Sequence, residues 1–594
     1  MPPRRKPDGG AGMIETSNAS ASIAESTGPE ALERLLGDRG DASNPVGDAA
    51  LLAADERAEL PAAGEELLHR YGFNAEFVPV ELGGRFTSAE HLMRTARAVF
   101  RRDSALGIGY GVTSLIAAVP VWISGRADQQ RAFADLLLSG RRASACYTEL
   151  PHGADFTRDE LTARQNGGRL LLNGRKDLVN NVGRSDALLV FARTGQRAGS
   201  RSHSHVLVER TELPPDRVTF GPRYHSAGVR GCQLGGVEFR DCPVRPEAVL
   251  GTPGVAEGTG LETVMRAFQV TRSVLPGMMT GVVDTQLRTV ARFAFTRRLY
   301  GRPLADLPQS RAVLAGVFAD LLAADCLATV AARGLHLLTS QTVTLAAAVK
   351  YFVPVLLQDA AYDLSVLLGA RSYLREGEYA IFQKHLRDLP VVTLAHASSA
   401  VCLASIVPYL PVLARRAWQP DTASAPDALF QPGAPLPPLD LSGLSLTAGA
   451  DDLAGTLRAA AMLPRVADDP WLAGPVAALV AELDMLRDRA AALPPRERTV
   501  TAGRPGFGLA RRYASVLAGA ACVGVWHAAP PGSFLADPAW ASLALRRLAA
   551  RLGRDTVPAQ RRATATVDER LCAELTDRLA DGRACTLTAE RLAG

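Results

Sequence analysis

The chain has 594 residues, enough for about four domains of roughly 150 residues each. Lysine and arginine total 66 against 61 aspartate and glutamate, and a net charge of +5 on a chain of this size argues against nucleic-acid binding. Hydrophobic residues make up 47% and charged residues 21%, which excludes a wholly disordered chain. Aromatic residues are only 6%, so we expect a core of Leu, Val and Ala in packed helices.

The eight cysteines are scattered, with no CxxC pair and no Cys/His cluster at zinc spacing. We therefore expect reduced thiols, a cytoplasmic location and no metal site. The uncharged stretch 105–125 is long enough to span a membrane. Its glycines and Pro120 favour a buried helix instead, so we expect no membrane association.

Hydrophobic periodicity divides the chain into segments. They are a disordered tail at 1–27, a helical domain at 28–142, a β domain at 143–255, a helical bundle at 256–415, a proline-rich linker at 416–442 and a C-terminal helical extension at 443–594. Short β-rich runs and the turn signals Asn166-Gly167 and Asn173-Gly174 predict a small antiparallel middle domain. The predicted fold class is mainly α with this small antiparallel β domain.

Four motifs lie at the joints of these segments: Tyr147–Asp155, Gly228–Gly231, Pro243–Gly251 and Arg297–Leu304. Each is weak alone, but in this order and with this texture they resemble the acyl-CoA dehydrogenase family over about residues 30 to 412. The resemblance implies a helical N-terminal domain, a β-barrel-like middle domain and a helical bundle. It also implies FAD held between the last two, in a homodimer or homotetramer. Family members remove the α-proton of an acyl thioester with a glutamate while the β-hydride passes to the flavin.

The resemblance assigns candidate site residues by register. Those for FAD are Thr148 at the flavin pyrimidine, Gly153 in the same turn, Asn180 as a donor to N5 or O4, Arg297 at the pyrophosphate of a partner chain, and Gly369 and Arg371 in the glycine loop. Those for the substrate are Thr271 and Arg272, on the helix that borders the acyl group.

Several positions depart from the family pattern. Leu178 stands where a tryptophan usually lies beside the flavin, and Ala154 replaces a serine near the phosphates. The glycine loop reads Val366–Ser372 and lacks two of its glycines. Arg371 would then have to supply by charge the contact that the backbone has lost.

The largest departure is the catalytic glutamate, which is absent. Counting from Arg387-Asp388 places His396 at its position, and the other position known for a base holds Thr271. A neutral imidazole is a competent general base near pH 7. Three interpretations stay open: His396 is the base, it orients a substrate or peroxide, or it is tolerated in a site that no longer catalyses the family reaction.

The predicted function is FAD-dependent α,β-dehydrogenation of an acyl thioester, with His396 in place of the glutamate. The alternatives are a flavin monooxygenase on the same fold and a redox-silent subunit paired with an active homologue. The expected partners are an acyl-CoA or acyl-carrier-protein substrate and further copies of the chain, with neither nucleic acid nor membrane.

Overall fold

The computed structural model describes residues 27–196, 199–252, 258–395, 397–554 and 561–593, with the backbone alone at 561–564. All but the last residue of the predicted disordered tail lies outside these described residues. Along the chain, helical regions precede and follow one sheet region, which confirms the predicted mainly α fold class.

The N-terminal region is helical. Its helices are α1 (Pro29–Leu36), α2 (Asp48–Glu56), α3 (Ala62–Tyr71), α4 (Ala89–Arg102), α5 (Ser104–Gly107), α6 (Thr113–Ser124) and α7 (Ala127–Leu138), with a π-helical segment at Ile108–Val112. Helix α4 begins at Ser88, whose hydroxyl accepts a hydrogen bond from the His91 amide, the usual N-cap arrangement. The uncharged stretch from 105 to 125 forms α5, the π-helical segment and α6, and most of it is buried.

The middle region is one seven-stranded sheet. Its strands are β1 (Ala143–Cys146), β2 (Thr162–Asn166), β3 (Arg169–Asn180), β4 (Ala187–Arg193), β5 (His203–Glu209), β6 (Val218–Phe220) and β7 (Leu234–Val244). They run in the order β1-β4-β2-β3-β7-β6, and β5 pairs with β4.

The sheet is mixed, which corrects the expectation of a purely antiparallel domain. Strand β1 pairs in parallel with β4, as Ala143 opposite Ala187 shows, while β3 with β7 and β4 with β5 are antiparallel. A parallel return needs a crossover of a dozen or more residues. The β2–β3 hairpin lies within the connection between β1 and β4 and provides that length.

The two Asn-Gly signals have different outcomes. Asn166 pairs with Arg169 across a two-residue loop whose glycines both have positive φ, so the first signal is a tight hairpin as predicted. Asn173-Gly174 lies inside β3, where Gly174 has φ +129° at a bulge in the pairing with β7. The second signal therefore marks a bulge, because glycine in a strand also permits local irregularity.

Helices return after the sheet. The bundle helices are α8 (Gly260–Met278), α9 (Thr280–Thr296), α10 (Pro308–Leu337), α11 (Thr342–Leu368), α12 (Ala380–Asp388), α13 (Val391–Leu394), α14 (Ser399–Ile406) and α15 (Leu410–Arg416). A short hairpin of β8 (Arg298–Leu299) and β9 (Arg302–Pro303) follows α9. The C-terminal helices are α16 (Asp452–Ala461), α17 (Pro464–Ala467), α18 (Ala473–Ala491), α19 (Arg504–Ala528), α20 (Pro538–Arg551) and α21 (Arg561–Ala580).

One apolar cluster joins the N-terminal helices, the bundle and the C-terminal helices, whereas the sheet has a separate cluster of its own. Four helical stretches are long and apolar enough to cross a membrane: Ser104–Ser124, Pro308–Leu337, Thr342–Tyr373 and Ala380–Arg416. In the first three, 78–94% of the most apolar part is buried inside the protein, and in the fourth 44%. The burial of the first three identifies them as core helices.

The C-terminal hairpin, in which Arg583 and Arg591 form an antiparallel bridge, packs against helix α4. Arg94 of α4 lies 2.9 Å from Glu590, and Arg97 lies 2.5 Å from Asp325 of α10. The same Asp325 accepts the backbone amide of Leu587 at 2.8 Å. Burial alone would raise the pKa of Glu590, but the surrounding arginines outweigh it and hold that pKa far below its usual value.

Candidate active site

The turn after β1 holds the first predicted cofactor residues. Thr148 is half-buried, and Gly153 is exposed with φ +60°. A Cβ at Gly153 would meet nothing within 4 Å, so the turn presents open backbone. Glu149 anchors the turn, because its buried carboxylate lies 2.9 Å from Lys176 Nζ and accepts two backbone N–H groups.

Lys176 is the buried charge on which this turn rests. Its ammonium is completely buried between Glu149 and Asp159, the latter at 2.6 Å. Burial raises the pKa of Asp159 to about 6, against the attraction of Lys176. For Glu149, burial also raises the pKa, but Lys176 and the backbone donors outweigh it and hold the pKa below its usual value. The ion cluster therefore fixes the turn from inside the sheet.

The end of β3 has an unusual backbone. Leu178 has φ +54° and is 45% exposed, and Asn181 has φ +61°. Left-handed non-glycine residues are uncommon and concentrate at functional sites. Between them, the Asn180 amide donates to the Ile108 carbonyl at 3.2 Å and to Thr113 Oγ1 at 2.7 Å. Its buried Oδ1 has no partner, so Asn180 as placed offers an acceptor and not the donor expected from the sequence.

Helix α8 carries the predicted substrate residues. Thr271 is buried, and its hydroxyl donates to the Ala267 carbonyl one turn back at 3.4 Å. The guanidinium of Arg272 lies over the Phe268 ring at 5.0 Å. Phe268 also packs edge-on against Tyr147, with ring centroids 5.9 Å apart. Because Tyr147 precedes Thr148, this aromatic contact joins the substrate helix to the cofactor turn.

A second cation faces Arg272 from α11. Lys350 is 1% exposed, and its ammonium donates to the carbonyl of Val392 in the loop that leads to His396. Burial lowers the pKa of Lys350 to about 8 and also lowers that of Arg272. Within the described part of the chain, neither cation forms an ion pair. Both lie close enough to the Cys402 thiol to act on it electrostatically, and each favours a lower pKa of that thiol. His396 itself lies outside the described residues.

The loop before His396 is also held from the sheet side. A Cβ on Gly228 would lie 2.0 Å from the Arg387 carbonyl oxygen, so only glycine permits this approach. The next amide, of Val229, donates to Asp388 at 2.6 Å. Asp388 lies 2.7 Å from Lys384, which also binds the carboxylate of Asp103. Burial lowers the pKa of Lys384, but the two carboxylates outweigh it and raise that pKa above its usual value.

The remaining predicted cofactor residues lie at the outer end of the bundle. Arg371 stacks over Phe293 of α9 at 5.3 Å, one helical turn before Arg297. Both arginines are exposed and, among the described residues, form no ion pair. Gly369 has φ +68°, and a Cβ there would meet nothing within 4 Å. Large apolar side chains exposed on this part of the chain are Tyr300, Tyr362, Val366 and Tyr373.

These residues fit a flavin dinucleotide. Open backbone at Gly153 and Gly369 allows close approach of a ligand. The unpartnered Asn180 Oδ1 can accept a hydrogen bond from a flavin N–H. Arg297 and Arg371 form no ion pair with any described residue, and such guanidinium groups suit a diphosphate. The first set of residues belongs to the sheet region and the second to the bundle.

The C-terminal extension contacts the substrate helix. Gln269, on the α8 face shared with Met265 and Arg272, donates to the Ser445 carbonyl at 2.8 Å. A cleft of about 220 Å³ opens at the start of α8, and its walls include Met265 and Leu446 of the extension. Two helical turns, about 10 Å, separate Met265 from Arg272 along the helix axis. The extension therefore helps to line the approach to the predicted substrate side.

Lys350 and the Gly228 contact were missed from the sequence. Lys350 had a detectable signal, since it is the one charge in the apolar run from Val343 to Leu357. A lone charge in a buried helix marks either a specific partner or a site. Gly228 had no comparable signal, because the closeness of Arg387 depends on how the sheet docks against α12.

Comparison with known proteins agrees with this geometry. Residues 144–242 match the acyl-CoA dehydrogenase middle domain, and residues 258–407 match the acyl-CoA dehydrogenase C-terminal domain. The human mitochondrial short-chain specific acyl-CoA dehydrogenase is 26% identical over 255 residues. That alignment covers 43% of this chain and 60% of the human protein, so the chain matches less than two thirds of that relative's length.

Solved structures share the fold. The prolyl acyl carrier protein oxidase AnaB aligns with a TM-score of 0.56 and 17% identity, covering 67% of this chain and 100% of that one. PigA with FAD and proline aligns with a TM-score of 0.56 and 17% identity, covering 66% and 98%. At these identities the likeness shows the fold alone. Over residues 144–242 and 258–407 the chain therefore matches the middle and C-terminal domains of acyl-CoA dehydrogenases, and it shares the fold of the solved structures of that family.

Proposed function

We propose that the chain catalyses FAD-dependent α,β-dehydrogenation of an acyl thioester carried by coenzyme A or an acyl carrier protein. The observation that carries the proposal is the convergence around α8. Its Phe268 contacts Tyr147 beside the cofactor turn, and its Arg272 lies with Lys350 beneath the loop that leads to His396. A substrate between these elements would lie between the cofactor turn and the two cations.

FAD, when bound, supplies the acceptor for the hydride that leaves the β-carbon. The protein's own part is to take the α-proton and to stabilise the negative charge that develops on the thioester oxygen. We assign the proton to His396, as a neutral imidazole acting as general base. The partly exposed Arg272 and the buried Lys350 are cations without a carboxylate partner among the described residues, which suits them to stabilise an oxyanion.

The active unit in this proposal is a homodimer or a dimer of dimers. Arg297, Gly369 and Arg371 would complete the FAD site of a second copy of the chain. Their exposure supports this, as does the exposure of the large side chains of Tyr362 and Val366, which lie one turn apart on the same face of α11.

An acyl carrier protein is the more specific substrate carrier within this proposal. AnaB, which is named an acyl carrier protein oxidase, aligns over its full length with this chain. The entry cleft shows one arginine, Arg201, whereas Glu262 beside it is paired with Arg266 at 2.9 Å. A single cation that forms no ion pair among the described residues matches the one phosphate of a carrier-bound arm better than the several phosphates of coenzyme A.

The proposal is tested by the flavin content of the purified protein and by anaerobic bleaching of the flavin absorbance with matched acyl-CoA and acyl-carrier-protein thioesters. We expect stoichiometric FAD and bleaching by at least one saturated thioester, with the α,β-unsaturated product detected by mass spectrometry. Bleaching absent for all substrates, with oxygen consumed when the flavin is reduced chemically, would indicate the monooxygenase alternative. Protein without flavin after reconstitution would indicate the redox-silent subunit.

A further inference from the structure

A small internal cavity lies apart from the residues discussed above. It has a volume of about 100 Å³ and lies between the α1–α2 segment, the outer face of α9, the start of α12 and the C-terminal hairpin. Its walls contain five arginines: Arg39, Arg101, Arg102, Arg288 and Arg292. None of the residues assigned to FAD or to the acyl thioester lines it.

Three of these arginines have guanidinium nitrogen atoms that lack a hydrogen-bond partner among the described residues. Arg102 is 1% exposed and lies 3.9 Å from Glu33, and its Nε and Nη1 atoms have no hydrogen-bond partner. Arg101 is 2% exposed and is bound by Glu33 and Asp284, but its Nη2 is unpartnered. The Arg292 guanidinium, at an exposed position, forms no hydrogen bond or ion pair among the described residues. Buried guanidinium nitrogens without acceptors are costly, so an acceptor is expected at this place.

The acidic residues of the cavity do not supply that acceptor. Glu33 is already shared by Arg101 and Arg102, and Asp48 forms its ion pair with Arg39. Asp38 and Glu378 also line the cavity, but both are exposed at its rim. Two of the four acids are therefore already engaged by arginines, and the other two are exposed.

The electrostatic effects of this arrangement agree with the geometry. Burial lowers the pKa of Arg102 to about 10, and the nearby Glu33 does not restore it. Burial, Arg288 and Arg39 together lower the pKa of Arg292. An arginine whose pKa falls is one whose charge lacks compensation.

We propose that this arginine cavity binds a single phosphate group. The donors come from three directions, with Arg101 and Arg102 on α4, Arg288 and Arg292 on α9, and Arg39 on the α1–α2 segment. Convergent donors suit a tetrahedral oxyanion, whereas a planar carboxylate uses one fork. A water needs at least about 10–15 Å³ of such space, so the cavity holds a phosphate group and a few waters but not a whole nucleotide.

The site joins parts of the chain that are far apart in sequence. Leu592 and Ala593 line it together with Arg39 and Arg288. A bound phosphate would therefore stabilise the assembled N- and C-terminal regions and raise the unfolding temperature in proportion to its occupancy.

The test is thermal unfolding of the holoprotein with increasing inorganic phosphate, at constant ionic strength against chloride, with calorimetry for affinity. We expect a saturable rise in unfolding temperature with phosphate and none with chloride. Arg292→Ala, an exposed position that leaves the core intact, should weaken phosphate binding by about 10- to 100-fold, the value of a charge-assisted hydrogen bond. Arg131→Ala, which removes an exposed arginine of α7, should leave binding unchanged.

Three results would overturn the proposal. They are no saturable effect of phosphate, equal binding by Arg292→Ala and the wild type, and binding that appears only after residues 592–594 are deleted. The last would mean that the chain's own residues occupy the cavity. Phenyl phosphate in place of inorganic phosphate identifies the source of the group: tighter binding indicates a phosphorylated metabolite, and weaker binding indicates the free ion.

Discussion

The two halves of the proposed active site are built differently. The substrate half is centred on the buried Lys350, with Arg272 only partly exposed beside it, and is held by contacts from the sheet, α11 and α12. The cofactor half at the outer end of the bundle, with Arg297 and Arg371, is exposed and without ion pairs among the described residues. The buried half can be formed by one chain, whereas the exposed half gains a role only against a second molecule. The two halves should therefore respond differently to substitution.

The largest effect on the rate of flavin reduction is expected from substitution of His396, which the proposal assigns to the substrate half. Replacing a positioned general base usually costs about 10²–10⁴ in rate, so His396→Ala should slow anaerobic flavin reduction by that factor while FAD stays bound. His396→Glu should recover part of the rate, because it restores the carboxylate used by the family. Stopped-flow absorbance measures both, with His527→Ala, at the exposed end of α19, as the control. A wild-type rate in His396→Ala would exclude this residue as the base.

Gly228 tests whether the sheet positions the catalytic loop. A Cβ at 2.0 Å from a backbone oxygen cannot be relieved by side-chain movement, so Gly228→Ala should cost about 3 kcal/mol or prevent folding. Gly183→Ala is the matched control, since a Cβ there meets nothing within 4 Å. The unfolding temperatures of the two variants are compared with the wild type. Equal values for both would mean that the sheet and α12 do not dock as described.

Lys350 should make the free energy of unfolding depend on pH. Because burial lowers its pKa to about 8, below the usual 10.5, the folded chain releases this proton before the unfolded chain does as pH rises. The free energy of unfolding of the wild type should therefore increase between about pH 8 and 10.5, by up to about 3 kcal/mol relative to Lys350→Met. Parallel unfolding temperatures across this range for both proteins would contradict the burial of an unpaired ammonium group.

Substitutions in the exposed half should change the stability of the fold least. They should nevertheless weaken the binding of FAD. Arg297→Ala and Arg371→Ala should each weaken FAD binding by about 10- to 100-fold. Exposed substitutions of this kind change stability by only about 0.5 kcal/mol. Arg298→Ala, which removes a donor to the Gly301 carbonyl, serves as the control for FAD content.

Mixing the chains sharpens the comparison between the two halves. If each site takes His396 from one chain and Arg297 from another, refolding His396→Ala together with Arg297→Ala should restore activity that neither variant has alone. No restoration would place both halves of the site in the same chain.

The fold could be predicted further than the site. Alternation of β-rich and helical patterns in the sequence located the sheet and the two helical regions, because burial on one face leaves a periodic trace. The parallel pairing of β1 with β4 was missed, although β4 is a continuous apolar run of six buried residues, a pattern typical of parallel strands. The register from the motifs assigned Thr271 and Arg272 to the substrate, which stays a prediction, and it could not show that the Asn180 amide is already engaged by Ile108 and Thr113.

The ion pair between α4 and the C-terminal hairpin has a consequence for biosynthesis. Arg94 and Arg97 leave the ribosome almost five hundred residues before Glu590, a delay on the order of half a minute or more at roughly 5–20 residues per second. During that time Arg94 lacks Glu590, the carboxylate with which it pairs in the folded protein. The first helices of the nascent chain cannot reach their final packing while translation continues. The last step of maturation therefore acts on the first part of the protein to be made.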